Sequence, residues 1–499
     1  MPFIPLLPTP LLTWILFLVA IFLLLGVSEW ISARIGMRPE NSRQLVHVIV
    51  GIFIFLSRFI FQEPFYPLVT GLLFVGVNLA TLTMGRFKSM HATDRVSYGT
   101  IYYPLAYVLI VALFWHRDPV ALLIAILLMA FADPLAAWVG ERYGRRPFTL
   151  WHDPKTPAGT AAMFLGSALL STLGLIILIP LNGDPAPAWS WLLLAVILLA
   201  VLATIAEIQS NKGSDNITIP LTAALFVFLL RALPPDWMLS FILWIMGSAL
   251  LLGLAARLRA LAPSGALTAW AMGTLIFMAG GWHWVLPIVA FFILSSILTR
   301  INPGGEVKPA NPRSHAGRRN LIQVFANGGF PLVIAAAYGL WHSDLLYLAF
   351  LAALAAATAD TWGTEIGGWQ QRPPRNIISW QPVTKGDSGA ISLAGTLGTL
   401  AGAAALAALG WWLQPQLIDL HHWLALTAIG FLAATIDSVL GATVQVRYRL
   451  LDTGRIVEKQ PAIDQDSVVH SGWQWLDNNM VNLVCTGSGA ALGLLWLIT

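Results

Sequence analysis

Four acidic residues, Asp133, Glu207, Asp360 and Asp437, follow or interrupt long apolar runs. A carboxylate at the centre of a bilayer costs roughly 2.5–3.5 kcal/mol on insertion scales, so such residues usually line a polar cavity. Basic, glycine-containing segments come next in the chain: KTPAGT at 155–160 after Asp133, and VTKGDSGAISLAG at 383–395 after Asp360. These residue types suit phosphoryl transfer. Asp133, Glu207 and Asp215 are candidates to hold one or two Mg²⁺ ions, which bind through few carboxylates plus substrate phosphates. Lys155 and the nearby arginines would neutralise phosphate oxygens, and glycines let backbone N–H groups approach them. In the second half Asp360, Glu365, Asp437 and Asp477 are the acidic candidates, with Arg319, Arg375 and Lys385 as the basic ones.

The elements that must position these groups are membrane helices. With 57% hydrophobic and 10% charged residues, the composition is that of a polytopic membrane protein rather than a soluble domain. Apolar runs predict sixteen spans, near 11–27, 45–57, 68–84, 99–115, 119–138, 158–180, 189–206, 216–230, 238–254, 264–280, 284–299, 321–340, 345–360, 389–411, 423–443 and 479–498. Residues 1–27 lack a basic leader and read as the first span, not as a cleaved signal peptide. All of the 28 Lys and Arg except Arg58, Arg117 and Arg231 fall in alternate connections. The positive-inside rule then places those connections, and the candidate sites, in the cytoplasm and both termini outside. The basic balance is thus a topology signal, and no nucleic-acid partner is expected. The 22 tryptophans sit mostly near the ends of apolar runs, as interfacial anchors do. The single cysteine, Cys485, excludes a disulfide framework.

The polar connection RALPPDW at 231–237 divides the chain near 235, into 1–235 and 236–499. Both parts share an order: a basic segment, an Asp at a helix end, a Lys with nearby Gly, an acidic residue at a helix end, then Asp-Asn. The spacings differ, so duplication and convergence both fit. Taken singly, each residue has a plainer reading. Asp133 before Pro134 makes a helix-breaking turn or a cap, Glu207 marks the end of a span, and the basic residues set topology. His47 and His91 read equally as interfacial residues, and His315, His421 and His470 have no zinc spacing. The gathering of nearly all these groups on one predicted face favours function. Phosphate-loop, protein-kinase, Rossmann, GxSxG and HExxH signatures are absent, so a kinase here is one whose membrane helices supply the site.

Residues 28–220 resemble the membrane phytol/dolichol kinase family, relatives of the CTP-using lipid cytidylyltransferases. The resemblance rests on Glu29, SRQLVH with His47 and Gly51, DPLAAWVGERYG, KTPAGT with Gly166 beyond, and EIQSNKGSDNITIP. Residues 264–490 resemble a membrane family long catalogued as a domain of unknown function, whose plant and cyanobacterial members include phytyl-phosphate kinases. There the matching residues are RRNLIQVFANGG, ATADTWGTEIGG, PRNIIS, VTKGDSGAISLAGTLG, the Asp437 region and LDNNMVNL. The acidic residues of the two parts do not align with one another, so roles are not transferred between them.

Together the resemblances imply a fusion of two consecutive kinases. The first would convert phytol or a similar prenyl alcohol to its monophosphate with CTP or another nucleoside triphosphate, and the second would make the diphosphate. The expected catalytic residues are Asp133, Lys155, Glu207 and Asp215, then Asp360, Lys385 and Asp437. Contacts to nucleotide or phosphate are expected at Arg43, His47, Thr156, Gly159 and Asn216, then at Arg319, Asn327, Arg375, Gly386, Gly389 and Asn478. Three other readings stay open: a secondary transporter with two repeats, a CTP-dependent lipid cytidylyltransferase, and a single polyprenol kinase with a structural second half.

Overall fold

Every predicted apolar run forms a helix in the computed structural model, which describes residues 1–499 apart from 5, 7, 85–97, 152, 302–317, 452, 453, 455, 459–465 and 499. His91 and His315 therefore lie outside the described residues. The chain divides into two compact units, Met1–Leu233 and Pro234–Thr499. The first holds α1 (Pro10–Ile35), α2 (Pro39–Ile60), α3 (Phe65–Met84), α4 (Gly99–Phe114), α5 (Pro119–Tyr143), α6 (Pro157–Leu181), α7 (Trp189–Ile208) and α8 (Asp215–Ala232). The second holds α9 (Met238–Arg257), α10 (Pro263–Gly280), α11 (Trp282–Ile301), α12 (Leu321–Trp341), α13 (Asp344–Gly367), α14 (Leu393–Leu413), α15 (Leu420–Thr443) and α16 (Asn478–Ile498). The protein is an all-α polytopic membrane protein.

Local chemistry sets the helix starts. Asp118 accepts the Val120 and Ala121 N–H groups ahead of α5, Thr156 caps α6, Asp419 caps α15, and Asn320 with Gln323 forms a capping box on α12. Among the described residues fourteen helices are long and apolar enough to cross a membrane, two fewer than the sixteen expected. α4, with 16 residues, reaches only about 24 Å at 1.5 Å per residue, short of a hydrocarbon core of about 30 Å. α10 is diluted by Ser264, Gly265, Thr268, Gly273 and Thr274 and is likewise not among the fourteen.

Each unit is built around one buried helix. Val120 to Ile126 of α5 and Phe350 to Ala356 of α13 have no exposed surface. Around α13 the packing is close because the facing residues are small: a Cβ at Gly402 of α14 would sit 2.8 Å from the Thr358 carbonyl oxygen, and one at Gly489 of α16 2.8 Å from that of Ala352. Two of the three basic residues outside the main partition are tied down. Arg231 pairs with Asp118 and Asp184 at 2.8 Å each, and Arg58 stacks 4.9 Å from the Trp115 ring.

The connections contain short strands that apolar patterning did not reveal. β1 (Phe148–Thr149) pairs with β2 (Pro154–Lys155), β3 (Arg375–Asn376) with β4 (Ala390–Ile391), and β5 (Arg447–Leu450) with both β6 (Ile456–Val457) and β7 (Ser467–Ser471), all antiparallel.

Candidate active sites

In the first unit α5 does not break at Asp133. The helix passes through a π turn at Leu128–Ala132 and continues through Asp133 to Tyr143. Pro134 has no N–H and its ring crowds the carbonyl four residues back, and the widened turn absorbs that conflict without ending the helix. Asp133 is thus a residue within the helix, correcting the expectation of a helix-end turn. The π turn also presents the Met129 carbonyl to His47 of α2, whose Nε2 lies 3.0 Å away. A carbonyl only accepts, so Nε2 carries the proton. Tyr103 of α4 packs edge-on to the imidazole at 4.1 Å, and its hydroxyl donates to the His47 carbonyl at 3.2 Å.

The hairpin β1–β2 delivers Lys155 to this corner. Its Nζ lies 2.7 Å from Glu207 Oε1 and 3.6 Å from Asp215 Oδ2. Burial works against the ammonium, but Asp215 and Glu207 outweigh it and hold the Lys155 pKa above its ordinary value. Ser210 donates to Asp215 Oδ2 at 3.1 Å, and Asn216 Nδ2 donates to Oδ1 at 3.1 Å. Asp215, Lys155, Glu207 and Arg43 are the charges that act on Asp133, and Asp215 and Arg43 act on His47. The structure therefore brings Asp133, Lys155, Glu207, Asp215 and Asn216 together, with Arg43 and His47 beside them. Thr156 and Gly159 serve the helix join. Thr156 Oγ1 accepts the Gly159 N–H at 3.1 Å, and a Cβ at Gly159 would lie 3.0 Å from the Ala136 carbonyl oxygen.

The second unit gathers a smaller set. Asp360 of α13 and Asp437 of α15 act on one another, and both act on the Cys485 thiol of α16. They too lie within their helices, because α13 runs on to Gly367 and α15 to Thr443. Glu365 stands apart from that pair, accepting from Thr299 Oγ1 at 2.7 Å. Arg319 answers to it: burial lowers the guanidinium pKa and Glu365 opposes that shift. Asp477 caps α16, accepting the Met480 N–H at 2.9 Å, and Asn478 is that helix's first residue. Asn327 donates back to the Gln323 carbonyl at 2.9 Å. Arg375 is exposed on β3 and donates to the Trp380 carbonyl. Lys385 and Gly386 sit at an exposed turn, and Gly389 is pressed against Ala442.

Among the described residues no group of three or more His, Cys, Asp or Glu is arranged to hold a metal by itself. What both units offer is acceptor oxygen without a donor. Glu207 Oε2, Asn211 Oδ1 and Asn216 Oδ1 in the first unit, and Asp437 Oδ2 in the second, are buried with no hydrogen-bond partner. A buried acceptor in that state costs about 1–3 kcal/mol, more when charged. Oxygen-rich surroundings that lack a donor fit a hard cation shared with a phosphate. Tyr103, the Met129 carbonyl and Ser210 were not picked out by sequence reasoning. Only Ser210 carried a signal, by lying within EIQSNKGSDN.

Two apolar hollows, about 400 and 330 Å³, adjoin at Leu492 along the seam of α15 and α16. Ala425, Ala428, Ile429, Leu495 and Trp496 line one, and Leu432, Thr435, Ile436, Val439 and Leu440 the other. The second hollow flanks Asp437 in the chain.

Residues 246–490 match the family described as integral membrane protein DUF92. That stretch of the chain belongs to the family. The chain is 29% identical over 273 residues to an uncharacterized membrane protein of Synechocystis sp., covering 53% of this chain and 92% of the relative. It is 29% identical over 203 residues to the phytol kinase of the same organism, covering 39% and 82%. It is 30% identical over 217 residues to a probable chloroplastic phytol kinase of Triticum aestivum, covering 40% and 70%. No solved structure matches the chain.

Proposed function

We propose that this DUF92 member is a bifunctional phosphotransferase that converts a membrane-dissolved prenyl alcohol, phytol or a close analogue, to its monophosphate in the first unit and then to the diphosphate in the second. The observation that carries the reading is the presence of two separate carboxylate centres, each with at least one buried acceptor oxygen lacking a donor, in a chain whose relatives include proteins named phytol kinase. CTP or another nucleoside triphosphate is the donor. It arrives on the Lys- and Arg-rich side, the cytoplasmic one by the positive-inside rule.

In each step the substrate oxygen bonds to the terminal phosphorus of the nucleotide, the bond from that phosphorus to the bridging oxygen breaks, and the nucleoside diphosphate leaves. In the first step the alcohol proton passes to a carboxylate of the first centre and on to water. Mg²⁺, when bound, neutralises charge on the phosphate oxygens. Asp133, Glu207 and Asp215 would hold it in the first unit, and Asp360 and Asp437 in the second. Lys155 orients the Glu207 and Asp215 carboxylates and offers its remaining N–H to phosphate. Arg43 and His47 stand at the edge of the first centre. The substrate tail stays in lipid, where each buried CH₂ contributes roughly 0.8 kcal/mol. In the second unit the seam of α15 and α16 leads an apolar chain towards Asp437.

The test is incubation of purified protein with phytol, geranylgeraniol or farnesol, radiolabelled CTP or ATP, and Mg²⁺, followed by chromatography. Successive mono- and diphosphate with release of nucleoside diphosphate is the expected result. Release of pyrophosphate would identify a cytidylyltransferase, and no turnover with any nucleotide would defeat the kinase reading.

A further inference from the structure

We infer that Glu458, with Arg447 and Gln445, is a positioning residue of the second unit: it clamps Ser388 so that the Thr384–Asp387 turn carries Lys385 to the phosphate held at Asp360 and Asp437. The inference rests on the reading of this unit as a monophosphate kinase.

Ser388 is held by side chains from a distant stretch. Its N–H donates to Glu458 Oε1 at 2.8 Å and its hydroxyl to Oε2 at 2.5 Å. Gln445, 2% exposed, donates from Nε2 to the Ser388 hydroxyl oxygen at 2.9 Å. Arg447 Nη2 lies 3.3 Å from both the Ser388 and Gly441 carbonyl oxygens, and its Nε is 3.8 Å from Glu458 Oε1. Every polar group of Ser388 is thereby taken up, two of them by charge-assisted bonds to one carboxylate.

The clamp seats the turn on the last part of α15. Gly389 adopts φ 79°, and a Cβ there would fall 2.5 Å from that of Ala442. A Cβ at Gly441 would fall 2.9 Å from that of Ser388. Gly441 follows Asp437 by one helical turn on the same face, a spacing of about 5–6 Å. The clamp therefore fixes the turn against α15, one helical turn past Asp437. Within the turn the Thr384 N–H donates to Asp387 Oδ2 at 3.0 Å, the Asp387 N–H donates to the Thr384 carbonyl at 3.2 Å, and Gly386 takes φ 88°. Lys385 at its apex is exposed and forms no ion pair among the described residues. A half-buried clamp thus supports a turn whose tip carries the exposed Lys385, on a segment packed against α15 one helical turn past Asp437. That arrangement suits a phosphate that shares a cation with the carboxylates and reaches Lys385 on its other side.

The experiment uses the full chain carrying Glu458→Gln, Lys385→Ala or both, assayed on phytyl monophosphate with nucleotide, and followed by amide hydrogen exchange over 384–389. Glu458→Gln is expected to speed exchange in that segment and to lower kcat/KM about 10- to 10²-fold, mainly through KM. In the Lys385→Ala background it is expected to cost less than about twofold more, because both changes remove the same contact. Alcohol phosphorylation is expected to stay unchanged, and Glu458→Asp to recover part of the loss. Additive losses, full activity of Glu458→Gln, or unchanged exchange would each overturn the clamp. If Glu458→Gln also loses alcohol phosphorylation, Gln445→Met, which removes fewer bonds, carries the same cycle. A wild-type chain that turns over the alcohol but not the monophosphate defeats the reading of the second unit and the clamp with it. An active wild type with additive losses defeats the clamp alone.

Discussion

In the first unit Glu207 and Asp215 share the Lys155 ammonium, at 2.7 and 3.6 Å. In the second, Asp360 and Asp437 face one another from α13 and α15, and among the described residues no Lys or Arg forms an ion pair with either. Arg319 is directed to Glu365 instead, and Lys385 stays exposed at its turn. The first centre sets one lysine against three carboxylates, with Arg43 beside them, whereas the second has two carboxylates and no basic ion-pair partner among the described residues. The same residue types therefore make one centre that is braced by its lysine and one that has no basic partner among the described residues.

The largest effect is expected from breaking the braced centre. Lys155→Met strands Glu207 and Asp215, and loss of one partner of a buried pair costs about 3–5 kcal/mol. Thermal unfolding in detergent should shift down accordingly, and alcohol phosphorylation should disappear. Because the Lys155 pKa is raised on folding, its contribution is complete below the ordinary value of 10.5 and is lost as pH rises through the higher folded value. The stability gap between wild type and Lys155→Met should therefore persist up to the ordinary lysine value and close in strong alkali. A gap that survives strong alkali would show that the lysine is not the counter-charge.

The opposite sign is expected in the second unit. Asp437→Asn removes the mutual repulsion, so the protein should be as stable as wild type or more so. Monophosphate phosphorylation should nevertheless fall about 10²-fold or more, through loss of several kcal/mol of transition-state stabilisation. If Asp437→Asn destabilised the fold as strongly as Lys155→Met, the contrast between the centres would collapse.

A ligand titration sharpens the comparison at smaller scale. Mg²⁺ at 100 times its dissociation constant stabilises by about 2.7 kcal/mol. That gain is expected in wild type and Lys155→Met, and it should shrink most in Asp437→Asn, where the second centre has lost one of its two carboxylates. Equal Mg²⁺ stabilisation of all three proteins would place the cation elsewhere.

The smallest change is expected along the apolar seam. Leu492→Trp, at the junction of the two hollows, should shift the second step towards shorter chains by roughly tenfold, of the order expected for altered fit in an apolar pocket. Competition between phytyl and geranyl monophosphates measures it. An unchanged ratio would remove the seam from substrate recognition.

Much of this molecule is written in local pattern. An apolar run in lipid must satisfy its own backbone, so it becomes a helix, and all the predicted runs do. A carboxylate in such a run is conspicuous for the same reason, and Asp133, Glu207, Asp360 and Asp437 were visible because water would otherwise have to follow them into the bilayer. Thr156, Asp419 and Asn320 are caps that depend only on the next few residues. The tertiary structure alone decided which charges meet. Glu365 and Asp477 look as functional in sequence as Asp437, yet one is near Arg319 and the other caps α16. Glu458 had no signal at all, since its partner Ser388 lies 70 residues away. Propensity and hydropathy act over a few neighbouring residues, but Coulomb and hydrogen-bond energies act through space. Only the packing of the helices sets those distances, and with them which carboxylate gains a lysine and which does not.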